Sequence, residues 1–177
     1  MNIHCKNIKI NVCLMWKIDF HLIKLLNISI SERKTLFLLK NSDMNYVITI
    51  YKHNLKNLHI TGIKTCHDMN KVMEFITDQL KNDIIKTTID NTMFSCKLKR
   101  NIDINAIIPK IRNKFQNFSC TYNPEIFPAL FIKPDKKFKE KGCPTVIMFQ
   151  NSSHIIIGGK SMEMVKLVNI MVEQIIE

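Results

Sequence analysis

Polar and apolar residues alternate along two segments of the chain that open in the same way. The first segment is Asn7–Cys13 and the second is Asn91–Lys97. Such alternation predicts a β-strand with one face buried and the other exposed. An Ile-Asp-apolar step and a short helical pattern follow each segment. Asp19 and Asp103 are the predicted N-caps, because an Asp side chain accepts the free amide hydrogens of a first turn.

Both halves of the chain continue through the same further elements. Each half has two β-rich runs, which are Thr35–Leu39, Tyr46–Tyr51, Ala129–Ile132 and Thr145–Phe149. A strand ending in a glycine and a lysine comes next, and then a long helix with an apolar stripe. The order strand–helix–strands–helix therefore occurs twice. We predict a first repeat over residues 1–84 and a second over residues 85–177, with residues 81–88 as the linker.

Two such repeats can form one continuous antiparallel sheet with pseudo-twofold symmetry. This arrangement predicts the α+β class, with the helices covering one face of the sheet. The opposite face would then be bare, and an uncovered apolar face is costly unless something binds there. The internal repeat therefore predicts a binding surface as well as a fold.

Composition and charge narrow the class of partner. The 177-residue chain contains 26 Lys and Arg against 15 Asp and Glu, a formal net charge of +11. Such an excess attracts polyanions, so nucleic acid or an anionic membrane surface is the expected partner class. No apolar stretch is long enough to span a bilayer, which excludes a membrane-spanning protein. The abundance of Ile, Lys and Asn indicates an A·T-rich coding genome.

Candidate catalytic and metal-binding residues are scarce. The six cysteines are scattered without zinc-ligand spacing, and the N-terminus has no signal-peptide pattern, so we expect reduced thiols in an intracellular protein. Cys143 and His154 could be a nucleophile and its base, but no orienting motif surrounds either, and core packing is the favoured interpretation. With no paired carboxylates and no Ser-His-Asp motif, the sequence predicts no catalytic residues, no metal site and no cofactor.

The second half of the chain carries short motifs in a characteristic order. Tyr122–Leu130 resembles Tyr-x-Pro-Glu-Leu-Phe-Pro-Gly-Leu, Val146–Phe149 resembles Leu-Leu-Ile-Phe, and Ile157–Lys160 resembles Thr-Gly-Ala-Lys. In the first half, Thr61–Lys64 is close to the last of these motifs. These motifs are those of the TATA-box-binding protein family, which the chain resembles from Asn7 onward. Its short, diverged and A·T-biased sequence is compatible with a viral or parasitic lineage.

The resemblance implies a saddle in which ten antiparallel strands form one curved sheet and four helices cover its convex side. It also implies a general transcription initiation factor, not an enzyme, that binds A·T-rich double-stranded promoter DNA through the minor groove and bends it. Initiation factors and the RNA polymerase machinery would be recruited through the helices and the stirrup loops at the saddle edges. The implied location is the nucleus, or the site of viral transcription for a viral protein, with no membrane partner.

The family's DNA-contacting positions carry over residue by residue. Asn7 and Asn91 fall on the asparagine pair that hydrogen-bonds base edges near the pseudo-dyad. Phe127 and Phe149 fall on the intercalating phenylalanines of the second repeat. Further implied DNA-facing positions are Met93, Thr145, Ile147, Ile155 and Ile157 in the second repeat and Tyr51 and Thr61 in the first. The positions implied to reach phosphates are Lys40, Lys64, Lys133 and Lys160.

The first repeat departs from the family pattern. No Phe falls on its first wedge position; Leu36 or Phe37 is nearest, and strand parity places Phe37 in the core. Tyr51 replaces the second wedge, and its hydroxyl makes deep intercalation less favourable. Lys9 and Asn11 replace apolar or small groups on the concave face. We therefore expect one strong DNA kink at the second repeat and a weaker one at the first.

A second departure is the basic segment Lys133–Gly142, which lengthens the predicted stirrup loop of the second repeat. Its lysines could be solvated, contact phosphates or dock a partner. Two other functions stay open on the sequence. One is a diverged adaptor that binds protein instead of DNA on the concave face. The other is an enzyme, since related saddle folds are parts of DNA glycosylases and ribonucleases, but no catalytic partner domain accompanies this one.

Overall fold

The computed structural model describes residues 3–26, 28–40, 45–97, 101–151 and 153–177, which form ten strands and five α-helices. The strands are β1 (Ile3–Leu14), β2 (Ser29–Glu32), β3 (Leu36–Lys40), β4 (Val47–Tyr51), β5 (Asn54–Ile63), β6 (Ile84–Lys97), β7 (Phe118–Asn123), β8 (Phe127–Pro134), β9 (Thr145–Phe149) and β10 (Ser153–Ile157). The helices are α1 (Phe20–Leu25), α2 (Cys66–Glu74), α3 (Ile104–Lys114), α4 (Lys136–Glu140) and α5 (Met162–Ile176), and a π-helical turn (Phe75–Gln79) continues α2.

The strands form a ten-stranded sheet in the order β2-β3-β4-β5-β1-β6-β10-β9-β8-β7. By internal packing the chain divides into two compact units. The first unit is Asn7–Asp90, and the second unit is Met1–Lys6 with Asn91–Glu177. The long strands β1 and β6 each contribute residues to both units, and β6 takes up most of the segment predicted as a linker.

The core of the first unit lies between one face of its strands and the helices α1 and α2. Ile10 is opposite Ile60, and Ile60 is opposite Ile48, so buried side chains of neighbouring strands lie side by side. Ile23 of α1 and Val72 of α2 belong to the same buried cluster. Burial thus follows the period of two that the alternating sequence predicts for strands.

Side-chain caps determine where the helices begin. Asp19 and Asp103 each accept a hydrogen bond of 2.9 Å from the backbone N–H two residues later, as the sequence predicts. At α2, Thr65 and Asp68 form a capping box. The hydrogen bond donated by the backbone N–H of Lys64, together with those from Thr65, holds the pKa of the Asp68 carboxyl below its usual value.

The second unit repeats this arrangement with α3 and α5. Leu130 and Met148 are opposed across β8 and β9 and are buried with the apolar faces of the two helices. His154 is fully buried, and its Nε2 lies 3.3 Å from Oδ1 of Asn169 on α5. Cys143 is also buried, which raises the pKa of its thiol to about 11. Both residues therefore have the core packing that the sequence favours over a nucleophile–base pair.

The sequence predicts the basic segment Lys133–Gly142 as a lengthened stirrup loop, and the structure differs. The segment contains α4, a helix beyond the four expected, which begins at Asp135 because its carboxylate accepts a 2.8 Å hydrogen bond from the N–H of Phe138. The Phe138 ring packs against Phe118, with the ring centroids 6.3 Å apart. The ammonium of Lys141 lies 5.8 Å from the centroid of the Phe138 ring. Apolar contacts thus hold this segment onto the second unit.

Candidate nucleic-acid interface

The face of the second unit's strands that points away from α3 and α5 is called here its helix-free face. The register places Phe131 opposite Ile147, Ile147 opposite Ile155, and Ile155 opposite Ser95. Directly opposed residues of antiparallel strands share a face, so these four side chains form a row across β8, β9, β10 and β6. Three of the four are apolar, although the core lies on the other side of the sheet.

A second row on this face brings together further positions implied by the resemblance. Thr145 is opposite Ile157, and Ile157 is opposite Met93. All three side chains are half-buried. Five predicted DNA-facing residues, which are Met93, Thr145, Ile147, Ile155 and Ile157, therefore share the helix-free face of the second unit.

Three phenylalanines cluster at one end of these rows. The Phe127 ring lies 5.6 Å from the Phe131 ring and 6.0 Å from the Phe149 ring, measured between centroids. Phe127 is 42% exposed, and Phe149 is half-buried opposite Ala129. The two residues predicted as wedges are thus neighbours, and Phe131 supports Phe127 from the same strand.

The corresponding face of the first unit is more polar, although Leu38 and Val47 lie on it. Leu38 is opposite Thr49, Thr49 is opposite His59, and His59 is opposite Asn11. This row occupies the same strand positions as the row of Phe131 in the second unit. Thr61, another predicted position, is opposite Val47 on the same face.

A cluster of charged and polar groups stands on the helix-free face of the first unit. Oδ2 of Asp90 lies 3.8 Å from Nζ of Lys9 and 3.8 Å from Nδ1 of His59. The Tyr51 ring meets the His59 ring edge-on, with centroids 5.3 Å apart. Among the described residues, neither Nδ1 of His59 nor Oδ1 of Asn11 has a hydrogen-bond partner. We call Lys9, Asn11, His59 and Asp90 the polar cluster.

Counting back from the paired residues gives a candidate for the first wedge position of the first unit. Leu36 is opposite Tyr51 as Ala129 is opposite Phe149. The residue two positions before Ala129 is Phe127, and the residue two positions before Leu36 is Lys34, which is exposed. Phe37 is 5% exposed and lies in the core, so the prediction from parity is confirmed.

The two predicted asparagines have different surroundings. Oδ1 of Asn7 accepts a 2.7 Å hydrogen bond from the backbone N–H of Gly62. Oδ1 of Asn91 is buried and has no hydrogen-bond partner among the described residues. Asn7 therefore has a structural role in the first unit, whereas the amide oxygen of Asn91 has none that the structure shows.

The four predicted phosphate-contacting lysines are all exposed. Lys40 ends β3, Lys64 follows β5, and Lys160 precedes α5. Lys133 lies on β8, and its ammonium is 5.6 Å from the centroid of the Phe131 ring. Each lysine can thus reach a ligand without losing a buried contact.

Sequence reasoning missed three residues of these faces. Phe131 could have been found, because it shares the strand parity of Phe127. His59 likewise shares the parity of Thr61. Asp90 gave no such signal, because the alternation of β6 changes near it: Ile89 packs on the core of the first unit, whereas Phe94 belongs to the core of the second.

The described residues bear on two other kinds of site, a metal-ligand group and a membrane-spanning helix. They contain no group of three or more His, Cys, Asp or Glu side chains that could hold a metal ion. In the same residues, no helix has both the length and the apolar character needed to cross a membrane.

The comparisons with known proteins identify the family. The model of the family described as "Transcription factor TFIID (or TATA-binding protein, TBP)" matches residues 86–176, just over half of the chain. The chain therefore belongs to the TATA-binding protein family. It is a transcription factor of this type and not an enzyme, and its family implies DNA and the transcription machinery as partners and an intracellular location.

Solved structures extend the similarity to the whole fold. Methanococcus jannaschii TBP aligns with 99% of this chain and 98% of its own, at a TM-score of 0.73 and 19% identity. The structure titled "Crystal structure of A. aeolicus tRNASec in complex with M. kandleri SerRS" aligns with 99% of this chain and 30% of its own, at a TM-score of 0.39 and 10% identity, too low to support an argument. No curated protein sequence gives a significant match.

Proposed function

We propose that the protein binds A·T-rich promoter DNA through the minor groove and bends it. The observation that carries the proposal is the helix-free face of the second unit, where Phe127 and Phe149 stand beside two largely apolar rows. Minor-groove proteins insert such apolar wedges between base steps and so kink the duplex. An apolar surface also suits the A·T groove, which lacks the guanine amino group.

The difference between the units implies an uneven bend. At the two wedge positions the second unit has Phe127 and Phe149, whereas the first unit has Lys34 and Tyr51. Unstacking a base step requires an apolar group to replace the stacking contact, and a lysine ammonium cannot do so. The kink under the second unit is therefore the stronger one, and the protein binds an asymmetric site in one orientation.

Recruitment of the transcription machinery completes the proposal. The exposed lysines on and beside α4, which are Lys136, Lys137, Lys139 and Lys141, offer a positive surface on a segment that is fixed by Phe138. Initiation factors and the polymerase would dock on this segment and on the helices. The site of action is the nucleus, or the site of viral transcription for a viral protein.

Gel-shift titration with an A·T-rich TATA duplex and a matched G·C duplex tests DNA binding, and energy transfer between the duplex ends measures the bend. We expect tighter binding to the TATA duplex and a shorter end-to-end distance in its complex. Binding that is equal for both duplexes, or that leaves the DNA straight, would contradict the proposal. If no duplex is bound, the polar face of the first unit favours the adaptor, whose ligand is a protein.

A further inference from the structure

The polar cluster of the first unit is incompletely satisfied. Its two contacts to Asp90, at 3.8 Å, are longer than hydrogen bonds. Asn11 and His59 add atoms without a hydrogen-bond partner in the described chain. These two atoms are buried, so a ligand on this face would meet the carboxylate of Asp90 and the ammonium of Lys9 instead, and the 3.8 Å contact between those groups leaves both able to form hydrogen bonds. Side-chain exposures of 40% for Lys9, 32% for Asp90 and 28% for His59 leave room for such a ligand.

The chemistry of the minor groove limits what such a ligand can be. A carboxylate only accepts hydrogen bonds. An A·T pair presents only acceptors in this groove, the adenine N3 and the thymine O2, so Asp90 would be repelled there. A G·C pair adds the guanine N2 amino group, which is a donor. Of the four base-pair orientations, only the two with guanine offer Asp90 a partner.

Lys9 makes a carboxylate tolerable close to DNA. Its ammonium beside Asp90 offsets the negative charge that the phosphates would otherwise repel. The same ammonium can donate to the N3 or O2 acceptors that flank the guanine amino group. Together, the Asp90 carboxylate accepts hydrogen bonds and the Lys9 ammonium donates them. These two groups complement the minor-groove edge of a G·C base pair.

Among the described residues, the matching positions of the second unit carry no charge. The opposed residues Ser95 and Ile155 stand where the first unit has Asn11 and His59, and Met93 precedes Ser95 by two residues as Lys9 precedes Asn11. None of these three side chains is charged, and only Ser95 has a hydroxyl group that could form a hydrogen bond with a base. Any guanine preference is therefore confined to the half of the DNA site that faces the first unit.

We propose that Asp90, with Lys9 and His59 beside it, recognises the amino group of a guanine in one half of the DNA site. The inference rests on the proposed minor-groove binding and makes it more specific. The expected site is mixed: A·T-rich under the apolar second unit, and with a G·C pair under the first unit.

Base analogues test this without changing the protein. At each position of an A·T-rich duplex, one base pair is replaced in turn by G·C, by inosine·C or by 2,6-diaminopurine·T. The inosine·C pair lacks the minor-groove amino group, whereas 2,6-diaminopurine·T carries that amino group on a pair that otherwise resembles A·T. At one position we expect G·C and diaminopurine·T to bind about 10-fold more tightly than inosine·C and A·T, the scale of one charge-assisted hydrogen bond. Inosine as favourable as guanine, or A·T preferred at every position, would overturn the inference.

Variants assign the effect to the cluster. Asp90→Ala should abolish the difference between G·C and inosine·C, and the milder Asp90→Asn should reduce it. Asp78→Ala, which removes an exposed carboxylate from the π-helical turn of the same unit, is the matched control and should keep the full difference. Unchanged discrimination in both Asp90 variants would overturn the assignment.

The experiment separates this inference from the proposed function. If every duplex is bound and bent but guanine is never favoured, minor-groove binding stands and the role of Asp90 is wrong. If no duplex in the series is bound, both proposals fail together.

Discussion

The two units have the same strand pattern, but the helix-free face of the first unit is more polar than that of the second. In the second unit, Phe131, Ile147 and Ile155 form an apolar row on the helix-free face. At the same register positions the first unit has Leu38, Thr49 and His59. The buried faces, by contrast, are apolar in both. The fold depends on the buried parity of each strand, so the other parity is free to change its chemistry.

The family comparison shows the same difference. The family model matches residues 86–176, which lie almost entirely in the second unit, whereas the structural match covers 99% of the chain. The structural similarity thus extends over the first unit, whereas the family model does not. Under the proposed function the two halves of the surface have separate roles, and equivalent positions of the two units should respond differently to substitution.

The largest expected contrast is between equivalent wedge positions. Phe149→Ala should weaken binding to an A·T-rich duplex by about 2–4 kcal/mol, because a central aromatic anchor is lost. Tyr51→Ala, its counterpart in the first unit, should cost less than about 1 kcal/mol, because the Tyr51 ring packs on His59. Affinity and bend angle, measured for both variants, check the difference. Equal losses would show that the units act alike.

Gly62 and Gly158 occupy equivalent positions in the two units, and replacing each with alanine should destabilise the protein to a different extent. Both glycines have a positive φ, +95° at Gly62 and +88° at Gly158. A Cβ atom added at Gly62 would clash with the backbone oxygen of Asn45, whereas a Cβ atom at Gly158 would meet open space. Gly158→Ala should cost about 1–2 kcal/mol for the left-handed backbone alone. Gly62→Ala adds a clash and should cost roughly 1–3 kcal/mol more. Urea unfolding measures both, and similar losses would contradict the prediction.

The paired asparagines should separate stability from binding. Asn7→Ala removes the acceptor of the Gly62 N–H and should lower the free energy of unfolding by about 1 kcal/mol. Asn91→Ala removes an amide oxygen that has no partner among the described residues, so stability should change by less than about 0.5 kcal/mol. Under the proposed function, Asn91→Ala still weakens DNA binding. Thermal melting and gel-shift titration distinguish the two effects.

The smallest predicted effect concerns thiols. Burial raises the pKa of Cys96 and Cys143, both in the second unit, from an ordinary 9.0 to about 11. Neutral thiols are favoured in the folded state, so this contribution to stability is complete below pH 9 and is lost as the pH rises towards 11. At pH 8 a thiol reagent should modify the exposed Cys66 of the first unit and spare both buried thiols. Rapid labelling of Cys96 at pH 8 would contradict the prediction.

Much of the fold could be predicted from the sequence, because strand alternation and helix capping depend on residues that are close together in the chain. Alternation placed Phe37 in the core, and the carboxylates of Asp19 and Asp103 marked two helix starts. Sequence reasoning missed α4, because five residues with four charges show no helical period of apolar residues. The helix depends on the Asp135 cap and on the packing of Phe138, and neither follows from composition.

The sequence by itself determined the repeat, most of the strands and helices, and the parity that separates core from surface, because each follows from residues a few positions apart. Only the tertiary structure decided which surface residues meet. Asp90 reaches Lys9 and His59 from a distant part of the chain, and a register shift between Ile8 and Ile10 in β1 lies beside this meeting point. Register across strands and the position of a bulge depend on the packing of the whole sheet. For that reason the sequence could place Lys9 and Asn11 on this face, but it could not predict that Asp90 and His59 join them.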